Sequence, residues 1–226
     1  MNVKKFIEEN ASERYREFTE SLTLEGQYPF RGVRLPVLRG MAKQLVREDD
    51  MKALEKLTDD CFEEVLLQGF VIAYSKLPLS EKKPYIDDYL KKADSWSLID
   101  SFVSSFKFKM NDSKVMWEYL NDYRNSKETF TVRFVLVMML GKYLDEEHIN
   151  EALDYCVSVR SEEYYIEMAQ AWLLATAAIK WFGAVENILI DGKLNMFTHN
   201  KTIQKACESF RITDVNKERL KQLRWK

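Results

Sequence analysis

Four side chains of types that helix cores seldom need stand inside apolar stretches: Trp96 and Asp100 in SWSLIDSF, Arg133 in FTVRFVLVMML and Trp172 in YYIEMAQAWLLATA. Trp96 and Asp100 are four residues apart, so a helix puts the indole and the carboxylate on one face, a turn from each other. An aromatic plane beside a carboxylate could hold a cation. Arg133 follows Phe130 by three residues and precedes Val137 by four. That puts it on or beside an apolar face, where an unpaired guanidinium is costly. The same residues also fit a plainer reading, in which the tryptophans pack a core and Asp100 and Arg133 form a buried ion pair without chemical duty.

The elements that must carry these groups are helices. The 226 residues are 46% apolar and include only seven glycines and four prolines, a composition that favours helix over turn-rich β structure. Apolar residues at helical spacing, separated by short polar breaks, predict helices at about 2–24, 34–47, 49–57, 60–76, 80–93, 95–108, 111–124, 127–143, 145–158, 162–179, 181–190, 197–209 and 213–223. Gly32 and Pro36 flank one helix start, Pro78 and Ser80 separate two helices, Asp94 or Ser95 is placed to cap the Trp96 helix, and Asp191-Gly192 closes a late one. The stretches 60–76, 127–143 and 162–179 are apolar on two sides and need neighbours on both. Stacked helical pairs of about 35 to 45 residues meet that need. The expected fold is all-α, an α–α superhelix of about six HEAT-like pairs forming one domain over 1–226, with a bundle-like globule as the alternative.

Charge and special residues narrow the function. The net charge of -2 and pI near 5.9 lack the basic excess usual in nucleic-acid binders. Cys61, Cys156 and Cys207 lie far apart with no CxxC spacing, as suits a reducing cytoplasm, and neither histidine, His148 or His199, sits in a ligand pattern. Both histidines are expected at the surface, and no metal site is expected. No apolar stretch reaches the length of a bilayer span, so a cytoplasmic protein without a membrane partner is expected. Basic residues are nevertheless grouped. Arg39, Lys43 and Arg47 recur at i, i+4 along one helix, Lys107 and Lys109 follow the Asp100 helix, and FTHNKTIQKACESF (197–210) carries Lys201 and Lys205 beside Asn200 and Gln204. Such a stripe meets phosphates or is simply a solvated face. Thr198 or Asn200 is equally suited to cap that last helix. The acidic run from Asp145 to Glu167 has to lie away from any phosphate backbone.

In order and spacing, GVRLPVLRGMAKQL (32–45), WSLIDSF (96–102), the arginine of TVRFVLVMML (131–140) and the tryptophan of EMAQAWLLATA (167–177) resemble the DNA alkylation repair family of AlkD type, over nearly the whole chain. The resemblance implies a HEAT-like solenoid and a glycosylase that cleaves the N-glycosidic bond of cationic 3- or 7-alkylated purines in duplex DNA. No metal or organic cofactor is implied, and a monomer is expected. Trp96 and Trp172 match the two aromatic residues that bracket the lesion's deoxyribose, Asp100 the catalytic carboxylate, and Arg133 a basic residue of the same cleft. Arg39, Lys43, Arg47, Lys107, Lys109, Lys201 and Lys205 are the expected DNA contacts. The chain departs from the family pattern after Trp172, where Leu-Leu-Ala-Thr-Ala follows, and before Arg133, where Val132 stands; active members tend to be basic there. Two non-enzymatic readings stay open at this point: a DNA-binding solenoid that recognises distorted or branched DNA, and a protein-interaction scaffold.

Overall fold

A computed structural model describes residues 2–22, 26–108 and 110–226, with Met110 described by its backbone alone. Among the described residues there are thirteen α-helices and no strand, the predicted all-α class. They fall into two compact units, Met1–Asp122 and Tyr123–Lys226. The first comprises α1 (Val3–Asn10), α2 (Glu13–Leu22), α3 (Leu35–Asp49), a 3₁₀ turn (Asp50–Lys56), α4 (Phe62–Tyr74), α5 (Leu79–Lys92), α6 (Trp96–Ser105) and α7 (Met110–Tyr123). The second comprises α8 (Thr129–Lys142), α9 (Ile149–Ser158), α10 (Tyr164–Ala177), α11 (Phe182–Ile190), α12 (Met196–Glu208) and α13 (Asp214–Gln222).

The three stretches read as apolar on two sides become the central helices. In the first unit α4 packs on α3, α5 and α6, and every residue from Phe62 to Ala73 is buried. In the second, α10 lies between α8 and α12 and also touches α9 and α11. Alternate helices stacked side by side, with the intervening helices against them, are the construction of a helical-pair repeat. The close fit of α4 to α5 depends on Gly69, where an added Cβ would lie 2.7 Å from Cζ of Tyr89. Tyr89 is buried; its hydroxyl donates to the Leu98 carbonyl at 3.2 Å, and its ring stands 4.4 Å from Phe102. Both are residues of α6, so α5 fixes the helix that carries Trp96 and Asp100.

Two predicted elements differ. The helix expected over 2–24 breaks at Ala11, whose backbone is extended, and Leu22 is the last described residue before the gap. The Ser12 amide donates to the Gly32 carbonyl at 3.1 Å, while the Ser12 carbonyl accepts the amides of Tyr15 and Arg16 and so starts α2. The stretch 49–57 is a 3₁₀ turn because Asp50, at φ 49°, ends α3 in a left-handed conformation. Its Oδ1 accepts the Lys76 amide at 3.1 Å.

The entry to α3 is held by a buried carboxylate. Glu63, in the first turn of α4, accepts the amides of Arg31 (3.1 Å), Gly32 (2.7 Å) and Val33 (3.1 Å) on Oε1. Its Oε2 accepts Arg31 again at 3.0 Å. Three successive amides pointing inward require an unusual backbone, and Gly32 supplies it with φ 87°. A Cβ there would also overlap the Ser12 carbonyl.

Candidate functional site

In the first unit, α6 begins between two tethers. Ser95 occupies the cap position without a side-chain cap bond, and Asp94 accepts the Gln27 amide at 2.6 Å instead. Neither residue caps the helix in the way its type suggested. Burial pushes the Asp94 carboxyl above its ordinary value. The Trp96 indole donates to the Leu22 carbonyl at 3.3 Å and helps line a small cavity with Tyr15, Phe18, Leu22, Phe30 and Phe62. Trp96 and Asp100 are both partly exposed, and Ser104, four residues further on, is exposed. The three make a row along one side of α6.

Arg39 of α3 meets the far end of that row. Its Nη2 donates to Ser104 Oγ at 2.9 Å, and its Nη1 donates to Ser105 Oγ at 2.8 Å and to the Tyr74 hydroxyl at 3.0 Å. The guanidinium lies 4.7 Å from the Phe70 ring centroid. Lys43 is exposed, with Nζ 5.7 Å from the Tyr74 ring. Arg47, also exposed, donates back to the Lys43 carbonyl at 3.3 Å. The i, i+4 stripe is thus a real surface feature, anchored at one end by Arg39. Lys107 is exposed, whereas Lys109 lies outside the described residues. The partners of Arg39 were not legible beforehand, because Ser104, Ser105 and Tyr74 have no spacing relation to it.

In the second unit Arg133 is buried, 5% exposed. Its Nη1 donates to the Tyr165 carbonyl at 2.7 Å, tying α8 to the first turn of α10. Trp172, by contrast, is 38% exposed. Tyr164, Met168 and Trp172 follow one another at four-residue intervals on α10, with both end residues exposed. Tyr164 contacts Phe197 of α12 at 5.8 Å between centroids, and Lys201 Nζ lies 5.6 Å from the Phe197 ring. Lys205, one turn on, is partly exposed. Among the described residues, no three His, Cys, Asp or Glu side chains form a potential metal-ligand set.

The N-cap of α12 is neither Thr198 nor Asn200. Asn195 caps α12 by accepting the Thr198 amide at 2.8 Å, and its Nδ2 donates to the buried Glu167 at 2.6 Å, so one acid of the acidic run is committed inside the unit. His199 is 0% exposed, which corrects its expected surface position. Its Nε2 lies 2.8 Å from the Leu223 carbonyl, and its ring stacks on Trp225 at 4.2 Å. Asn200 does not cap the helix: its Nδ2 donates to the Trp225 carbonyl at 3.1 Å, and its Oδ1 accepts the Trp225 amide at 3.0 Å. His199 and Asn200 therefore clamp the residues after α13 against α12. A histidine on an amphipathic helix gives no sign of such a partner when that partner lies 24 residues away.

A sequence profile described as "DNA alkylation repair enzyme" matches residues 3–209. The chain belongs to the DNA alkylation repair enzyme family. Residues beyond 209, including α13 and the segment held by His199 and Asn200, lie outside the matched region. A search of curated proteins found no match. Membership in the DNA alkylation repair family makes DNA the implied partner. No helix among the described residues is long and apolar enough to cross a membrane. The four residues expected to act together are divided as Trp96 and Asp100 in the first unit and Arg133 and Trp172 in the second.

Proposed function

We propose that the protein is a DNA glycosylase that removes cationic 3- or 7-alkylated purines from duplex DNA, with Asp100 as its central acid. The observation that carries this reading is the α6 row, in which an indole and a carboxylate share one partly exposed face in a member of a DNA alkylation repair family. An N-alkylated purine is already cationic. When its glycosidic bond breaks, the bonding pair leaves with the base, the base departs neutral, and positive charge builds on the sugar. A carboxylate facing that charge lowers the barrier electrostatically, and the same oxygen accepts a proton from the water that adds to the anomeric carbon. The face of Trp96 attracts the same charge. Arg133, buried and directed at the Tyr165 carbonyl, serves as a positioning residue for α10, the helix that bears Trp172.

The test is release of 7-methylguanine from duplex DNA. We expect Asp100→Asn to reduce release by about 100-fold or more with little change in melting temperature. A wild-type protein that is folded and releases no base above the uncatalysed rate would refute the reading. If Asp100 were only half of a structural ion pair, its loss would instead cost about 3–5 kcal/mol of stability. The burial of Arg133 favours one second reading, a non-catalytic solenoid that recognises DNA shape. Salt-sensitive binding to duplexes or junctions without base release would identify it.

A further inference from the structure

We propose that Arg39 forms the centre of a preformed phosphate clamp that seats one strand of duplex DNA in register with Asp100. This rests on the reading of DNA as the ligand. Arg39 stands on α3 but is fixed by three hydroxyls from α4 and α6, those of Tyr74, Ser104 and Ser105, at 2.8 to 3.0 Å. The ring of Phe70 supports it from below. All four partners are neutral, and among the described residues no carboxylate pairs with Arg39. A guanidinium has five N–H donors. Three are used here, leaving Nε–H and one Nη2–H, a pair that matches two oxygens of a phosphate. Because the side chain is already immobilised, little further conformational entropy is lost on binding. Lys43, one turn along α3, adds a second cation beside the Tyr74 ring.

The register follows from α6. Ser104, which holds Nη2, is four residues beyond Asp100 in the same row, a rise of about 6 Å. A phosphate seated at Arg39 would therefore lie about one helical turn from the carboxylate, comparable with the reach from a phosphate to a neighbouring sugar. Arg39 would be a positioning residue, setting which nucleotide faces Asp100.

Binding of the full chain to an undamaged duplex tests the clamp without any need for catalysis. Arg39→Met should weaken binding roughly 10- to 100-fold and reduce the slope of log K against log salt by about 1. Ser104→Ala, which keeps the charge but loosens it, should weaken binding severalfold with the slope unchanged. A scan with single methylphosphonates should find a position whose neutralisation weakens the wild type but not Arg39→Met, because the two changes remove one interaction. The competing role is a staple between α3, α4 and α6. In that case Arg39→Met lowers the melting temperature while slope and affinity stay put, and the proposal is overturned. Additive methylphosphonate and Arg39 effects would overturn it as well. Should Arg39→Met not fold, Ser104→Ala and the methylphosphonate scan of the wild type decide, with a flat scan refuting the clamp. Excision separates the two claims: an Arg39-dependent salt slope without base release sinks only the glycosylase reading, and base release with an Arg39-independent slope sinks only the clamp.

Discussion

Glu63→Gln is the substitution whose effect the structure constrains most tightly. The Glu63 side chain is buried, 2% exposed, and receives the amides of Arg31, Gly32 and Val33. Glutamine has nearly the same shape, so no cavity forms and the change is electrical. A carbonyl oxygen in the place of Oε1 still reaches all three amides, but the amide nitrogen in the place of Oε2 then faces the Arg31 amide, donor against donor. Hydrogen bonds to a charged acceptor contribute about 1 kcal/mol more than neutral ones. Three such bonds lose their charge, and the second contact to Arg31 is lost, so the loss comes to about 3–4 kcal/mol. For a chain of this size that lowers the melting temperature by roughly 6–16 °C. Thermal unfolding followed by circular dichroism, with urea titration at neutral pH as a cross-check, measures it. A variant within about 0.5 kcal/mol of wild type would show that the backbone of 31–33 holds its turn without the carboxylate, and the account of the α3 entry would fail.

The remaining predictions concern the acid centre, the C-terminal clamp and one buried amine. Asp100→Asn should slow base release by about 100-fold or more while leaving the unfolding curve nearly in place; an unchanged rate of release sinks the assignment. Asn200→Ala removes both bonds to Trp225, about 2 kcal/mol in all, and should speed amide exchange of the last residues while the main unfolding transition moves little. Exchange at Trp225 no faster than in wild type would contradict the clamp. Lys82 is buried and donates to the Ser75 and Ala73 carbonyls at the end of α4, and burial pushes its amine below 10.5. Between that lowered native value and 10.5 the unfolded chain binds more protons, so stability should rise with pH across this window. Lys82→Met should flatten that rise, and an equally steep rise in the variant would count against the assignment.

Helix type and order were legible because each stretch carries its own periodicity. The three doubly apolar stretches even indicated which helices would be central, and α4, α8 and α10 are buried nearly all round. The misread elements turn on single contacts. The break at Ala11 depends on an amide of Ser12 reaching Gly32, and the 3₁₀ turn depends on one left-handed aspartate. At the candidate site the spacing of Trp96 and Asp100 was sufficient to place them on one face. It was not sufficient for Arg39, His199 or Asn200, whose partners lie 24 to 66 residues away. Burial of Arg133 was foreseeable from its apolar surroundings, but its bond to the Tyr165 carbonyl, a backbone acceptor, carries no sequence signal.

Most positions along the first half of α12 already have an assignment. Thr198, His199, Thr202, Ile203 and Ala206 are buried, Asn195 links the helix to Glu167, Asn200 grips Trp225, and Phe197 and Lys201 form its outer surface. A substitution at one of these positions disturbs packing or a tether to a neighbouring segment. Substitutions are therefore better tolerated at exposed positions such as Glu162 than along the buried face of α12.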